Sequence, residues 1–108
     1  MRTMKPDQEM LNRLEGRIQN VTAKGAETDC VSRSFCPKLM IAEDPVCGSA
    51  HCQIADYWSK ELSKREIRAY QASMRGGYLN CVMQDSGRIA ISGEAVLVAV
   101  SEIVAELQ

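Results

Sequence analysis

The sequence predicts an α+β domain: a mostly antiparallel, barrel-like sheet curved around one long central helix. Three observations predict it. The run from Gly48 to Leu62 carries Ile54, Tyr57, Trp58 and Leu62 at helical spacing, so these four should bury. Short runs with strand character lie on both sides of it, parted by glycine-containing turns. The chain has 108 residues, 45% of them hydrophobic, which suffices for one small core and no more.

The elements follow in order. Pro6 to Gly16 reads as a short helix, with proline near its start, acids in its first turn and a glycine stop. Met10, Leu11 and Leu14 give it one apolar stripe. Ile18 to Ala23 is a strand, and Lys24-Gly25-Ala26 turns the chain into a second one, Thr28 to Phe35. Pro37 interrupts the pattern before Leu39, Met40 and Ile41. The long helix follows and ends at Ser63-Lys64. Ile67 to Ala72 and Tyr78 to Met83 are strands joined through a turn or bulge at Arg75-Gly76-Gly77. Asp85-Ser86-Gly87 is a hairpin turn. Arg88 to Ser92 and Glu94 to Val100 alternate well enough for strands broken by Gly93, and Ser101 to Gln108 suits strand or helix.

Composition narrows the function classes. The net charge is −1 with acids and bases interspersed, so nothing points to nucleic acid or an anionic membrane. No apolar run follows Met1-Arg2-Thr3-Met4-Lys5, and no segment approaches the roughly 20 apolar residues of a membrane span. Cys30, Cys36, Cys47, Cys52 and Cys81 are odd in number and irregularly spaced, which favours free thiols in a reducing cytoplasm. Cys47 and Cys52 flank the single histidine, but not at a zinc spacing, so no metal is expected.

The stretch from Ala42 to Cys52 carries the chemistry. It holds Glu43, Asp44, Cys47, Gly48, Ser49 and His51 directly before the helix. A glycine-serine turn feeding a helix leaves backbone N–H groups unpaired, and the helix dipole makes that spot favourable for an anion. A small-anion pocket is expected there, for a carboxylate, with an acid, a thiol and an imidazole on hand for proton transfer. Gly48, Ser49 and Ala50 can equally be a plain helix start capped by serine. Asp44 before Pro45 can be a simple turn residue. A lone histidine on a helix is commonly a packing group, although its titration near neutrality suits a proton relay.

The same stretch, Glu43-Asp44-Pro45-Val46-x-Gly48-Ser49-Ala50-His51-Cys52, resembles the second signature of the PhzF-like phenazine-biosynthesis family, relatives of diaminopimelate epimerase. Val31-Ser32-Arg33 with Pro37, Tyr57-Trp58, Tyr70-Gln71-Ala72-Ser73-x-Arg75-Gly76-Gly77 and Ile91-Ser92-Gly93-Glu94-Ala95-Val96 fit the same family in order. The resemblance implies two similar domains, each a barrel-like sheet around a helix, with the active site between them. Residues 1–108 would be a single partial domain resembling the C-terminal one, with the N-terminal domain absent.

It further implies an isomerase that moves a proton on a small carboxylate-bearing metabolite without a cofactor. Asp44, Ser49, His51 and Cys47 would be the catalytic candidates, and Gly48, Ser49, Ala50 and Gly76 the substrate-binding ones. The principal acid–base glutamate of the family has no counterpart in this chain. Departures are Cys47, where threonine is usual, Tyr78, where an acid usually follows Arg-Gly-Gly, and Ser34 and Cys36 around Phe35. A cysteine before glycine also occurs as the catalytic base in the related amino-acid epimerases; a size-matched replacement without duty is the other reading of Cys47. The alternative for the whole chain is an inactive truncated domain, or a ligand-binding or dimerising module. Its expected partners are the metabolite, a second copy, or a separate N-terminal half.

Overall fold

A computed structural model describes residues 1–106 of the chain. Helix α1 (Gln8–Arg13) opens it, shorter than the Pro6 to Gly16 span expected. Asp7 caps it, its carboxylate accepting from the amides of Glu9 at 3.0 Å and Met10 at 3.1 Å. Strands β1 (Gln19–Lys24) and β2 (Cys30–Cys36) form an antiparallel hairpin. A 3-10 turn, Pro37–Leu39, and Met40 in a left-handed conformation (φ 62°) then reverse the chain into β3 (Ile41–Asp44). Helix α2 (Gly48–Leu62) comes next, followed by β4 (Glu66–Gln71), β5 (Gly77–Met83) and β6 (Ile89–Gly93).

The six strands make one mixed sheet in the order β1-β2-β4-β5-β6, with β3 paired to β2 beyond the end of β4. Only β2 and β4 run parallel; every other pair is antiparallel. The parallel step follows from the helix, because α2 carries the chain back across the sheet before β4 begins. β2 lies between neighbours on both sides, and six of its seven residues are buried.

Helix α2 lies on one face of the sheet. Ala50, Ile54 and Ala55 pack there with Cys30, Cys47, Ile67, Ala69, Leu79 and Cys81, flanked by Trp58 and Leu62. Trp58 Nε1 also donates to Thr22 Oγ1 on β1 at 2.8 Å, tying the helix to the sheet edge. The opposite side of the helix faces water: Cys52, Gln53, Asp56 and Tyr57 are exposed.

Two expectations are corrected here. The sheet is open and does not close around the helix. A helix with its side chains is about 10–12 Å across, and a barrel of about eight strands is already filled by its own side chains. Six strands therefore line one side of a helix and cannot encircle it. Tyr57 accordingly turns outward at 51% exposure, while Ile54 two turns below the tip takes the core position. The second correction concerns Glu94 to Val100, which joins no strand, as treated below. Strand β3 carries little signal in the sequence: it is short, and its Glu43-Asp44 pair masks it because acids are poor strand formers. Within Ser101 to Gln108, residues 101–106 carry no regular structure, and Leu107 and Gln108 lie outside the described residues. No helix among the described residues is long and apolar enough to cross a membrane.

The helix packing can be tested on its two faces. Ile54→Ala should cost about 2–5 kcal/mol in urea unfolding, and Tyr57→Ala less than about 1 kcal/mol.

Candidate functional site

The site is built where β3 hands the chain to α2. Asp44 ends the strand, Pro45 and Val46 turn the chain, and Cys47 is the N-cap with extended backbone at φ −110° and ψ 107°. Cys47 makes no side-chain cap bond, so the helix begins without the usual hydroxyl or carboxylate acceptor. Gly48 and Ser49 are exposed, and their amides donate to nothing among the described residues. A Cβ placed on Gly48 would meet no atom within 4 Å. Packing inside this chain therefore does not demand glycine there. Its effect is to leave the helix tip bare, with N–H groups and the positive end of the dipole directed at open space.

A frame of buried side chains holds that tip. Gln71, at the end of β4, is fully buried. Its Oε1 accepts from the Cys47 amide at 2.7 Å, and its Nε2 donates to the Asp44 carbonyl at 2.7 Å. One side chain thus spans the whole turn from strand to helix. Ser73 adds a second clamp: its hydroxyl donates to the Pro45 carbonyl at 2.6 Å and accepts from the Gly76 amide at 3.0 Å. Below the tip, His51 Nδ1 donates to the Cys47 carbonyl at 2.7 Å, and its Nε2 lies 3.4 Å from Ser32 Oγ. A carbonyl only accepts, so Nδ1 carries the proton and Nε2 faces the Ser32 hydroxyl as acceptor. On the outer side, Arg33 grips Glu43 through two bonds of 2.8 and 2.9 Å. The same guanidinium donates to the carbonyls of Met1 and Met4, anchoring the chain's first residues to this corner.

These positions sort the candidates. Ser49 stands exposed at the tip, with its hydroxyl 3.4 Å from the Cys47 thiol. Asp44 is half-buried, and its ladder partner is Ser34. Burial pushes the Cys36 thiol up, and the Asp44 carboxylate adds to the rise. Ala50 is buried, and only its backbone belongs to the tip.

His51 has no exposed surface, and both its ring nitrogens face protein partners. Burial holds its imidazole below the ordinary value of 6.5, against the opposing effect of its bond to the Cys47 carbonyl. The structure thus holds it under the tip, with both ring nitrogens engaged. Gly76 is likewise spent internally, because its amide bonds Ser73 and a side chain there would strike the Tyr70 hydroxyl. Its φ of +72° also favours glycine. At Gly77 a side chain would strike Val46 in the strand-to-helix turn. The Arg-Gly-Gly segment thus serves close packing against the site. Glu43 is the partner of Arg33.

Gln71, Ser73, Ser32 and Arg33 build the frame without a local signature in the sequence. Apart from the Ser73–Gly76 bond, their bonds cross 10 to 32 positions of sequence, so no local spacing announces them. The only signal was their membership in the ordered motifs that carry the family resemblance.

An open, mixed sheet with a helix on its face and that helix's tip left bare defines an α+β fold. The chain belongs to the Phenazine biosynthesis-like protein family (PhzC-PhzF), whose sequence profile matches residues 1–101. It is 46% identical over 103 residues to an uncharacterized isomerase of Pseudomonas aeruginosa, covering 95% of this chain and 39% of that protein. It is 44% identical over 97 residues to the mouse phenazine biosynthesis-like domain-containing protein 1, covering 86% of this chain and 34% of that one. Its structure matches the crystal structure of a PhzC/PhzF phenazine-biosynthesis protein from Clostridium difficile with a TM-score of 0.85 and 43% identity, over 94% of this chain and 39% of the other. The chain therefore spans about a third to two fifths of the length of these relatives.

Two outcomes test the frame. Gln71→Leu strands the Cys47 amide and the Asp44 carbonyl and should cost about 2–4 kcal/mol in urea unfolding. Because the folded-state pKa of His51 lies below its unfolded value, its contribution to stability is complete above pH 6.5 and is lost as pH falls from there through the lower folded value. Unfolding free energy measured between pH 7.5 and 5.5 should fall in the native chain and fall less steeply in His51→Gln.

Proposed function

We propose that this chain supplies the carboxylate-binding wall of a PhzF-like isomerase that moves a proton on a small metabolite. The observation that carries the reading is the exposed pair of unpaired amides at Gly48 and Ser49, with empty space over Gly48. A carboxylate seated there gains two N–H bonds and the helix dipole, worth roughly 0.3–1 kcal/mol from the dipole alone at an exposed site. The Ala50 amide completes the row.

With the carboxylate held, Ser49 Oγ and the Asp44 carboxylate are the acid–base candidates of this wall. When Ser49 gives its hydroxyl proton away, the Cys47 thiol, 3.4 Å from Ser49 Oγ, can replace it and be left as the thiolate. Asp44 acts as the acid or base of this wall. His51 and Gln71 act through the backbone they hold. Proton transfer between carbons needs an acid and a base placed on either side of the substrate. The opposing group belongs to the part of the family fold that this chain does not span. No step here calls on a metal or an organic cofactor. The five free thiols suit a reducing compartment such as the cytoplasm.

The reading makes two predictions. Titrating the 15N-labelled chain with a small carboxylate should shift the Gly48 and Ser49 amide resonances before any others, and added salt should weaken the effect. Shifts confined elsewhere would contradict the site. Assayed alone, the chain should turn over at least about a hundredfold more slowly than a full-length relative, the loss expected when one acid–base group is missing.

A further inference from the structure

The face of the sheet away from α2 carries a cleft of its own. Ile67, Ala69, Leu79 and Cys81 pack toward the helix, so Tyr70 and Tyr78, which alternate with them along β4 and β5, point the other way. Strand pairing sets Val31 beside Tyr70 and Tyr70 beside Tyr78, which makes a row of three across β2, β4 and β5. The two tyrosine rings lie 4.8 Å apart between centroids and are tilted by 45°. This row is the floor of a cleft of about 280 Å³.

The walls come from two segments far apart in sequence. On one side of Val31 is the turn from β1 to β2, closed by the Gly25 amide donating to the Asp29 carbonyl, and it brings Glu27 and Thr28 to the cleft. On the other side is the chain's opening segment, which brings Arg2. Arg33, two residues past Val31 on β2, holds that segment through the Met1 and Met4 carbonyls. The floor is fixed as well, because the Tyr70 hydroxyl fills the space where a side chain at Gly76 would stand.

The cleft holds a cation and an anion that do not pair. The Arg2 guanidinium stands 5.4 Å from the Tyr70 ring centroid, and neither Arg2 nor Glu27 forms an ion pair among the described residues. Arg68 lies 5.7 Å from the Tyr78 ring centroid but lines no part of the cleft, so Arg2 is the cation available to a ligand. A molecule that satisfies both ends presents an acid group to Arg2 and a hydrogen-bond donor to Glu27. Between them it lays a flat apolar body on the tyrosines, whose faces favour another aromatic ring. The volume lies just under the roughly 300–1,000 Å³ of pockets for drug-sized ligands, which suits a single ring.

We infer that this cleft binds a monocyclic aromatic acid with a hydroxyl or amino group opposite its carboxylate. The carboxylate meets Arg2, the ring rests on Tyr70 and Tyr78, and the donor group turns to Glu27. The inference stands apart from the helix tip: the two places lie on opposite faces of the sheet and share no residue.

The test titrates the labelled chain with para-hydroxybenzoate and follows amide resonances. Its saturated analogue, hydroxycyclohexanecarboxylate, keeps both polar groups without the aromatic ring, and acetate keeps the charge alone. The expected result is saturable shifts at Val31, Tyr70 and Tyr78 with para-hydroxybenzoate, binding about three- to tenfold weaker for the saturated analogue, and no such shifts with acetate. Arg2→Gln should weaken para-hydroxybenzoate at least about fivefold, through loss of a charge-assisted bond. Arg2 is exposed and Tyr78 is 51% exposed, so Arg2→Gln and Tyr78→Leu should both keep the fold, and Tyr78→Leu should also weaken binding. The inference is overturned by shifts at these three residues that grow without saturating, by their absence, by equal binding of the saturated analogue, or by full affinity in Arg2→Gln or Tyr78→Leu. The helix tip is read separately in the same spectra, because Gly48 and Ser49 should respond to acetate and stay indifferent to Arg2→Gln.

Discussion

The fold turns on one buried amide. Gln71 closes the gap between the last strand residue before the helix and the first residue of its cap, accepting from one and donating to the other. A helix start with no capping side chain is ordinarily free to fray. Here the cap residue is fastened from across the sheet, by a side chain that reaches both groups within normal hydrogen-bond distance. The adjoining bonds from Ser73 and His51 fix the same turn from two further directions. The helix tip can therefore stay rigid while its foremost amides remain unsatisfied. Rigidity with unsatisfied donors is the condition for binding an anion without first reorganising the protein.

The core and the site share this piece of structure. Cys47, the cap residue, is also a member of the apolar cluster, and Ala50, one turn on, packs under the tip against the sheet. Moving the tip would disturb the packing of α2 on β4 and β5. The glycines of the neighbouring turn fit the same logic, because side chains at Gly76 and Gly77 would press on Tyr70 and on Val46. What resembles a ligand-contacting loop in the sequence is, in the fold, the space that lets two loops approach.

Much of the architecture was legible in the sequence. Helix α2 runs from Gly48 to Leu62, as its apolar spacing indicated, and β4, β5 and β6 lie within a residue or two of their expected bounds. Periodicity is informative where an element buries one face. It failed at Tyr57, because spacing shows which residues share a side of a helix but not how wide the buried stripe is. It failed at β3, where a charged edge strand has no apolar signature. It failed for the run after Gly93, which is apolar but pairs with no strand among the described residues. In the site, the bare tip was legible from Gly48-Ser49 beside a helix pattern. The frame was not, because hydrogen bonds between residues far apart in sequence follow from topology, above all from the parallel pairing of β2 with β4. That pairing sets the end of β4, and with it Gln71, beside the strand-to-helix turn.

The most direct measurement is residue-resolved amide hydrogen exchange at the turn. The Cys47 amide, bonded to Gln71, should exchange about as slowly as amides in the central strands, while its neighbours Gly48 and Ser49 exchange close to the rate of an unstructured chain. Fast exchange at Cys47, or slow exchange at the two residues beyond it, would contradict the picture of a tip held firm from behind and left open in front.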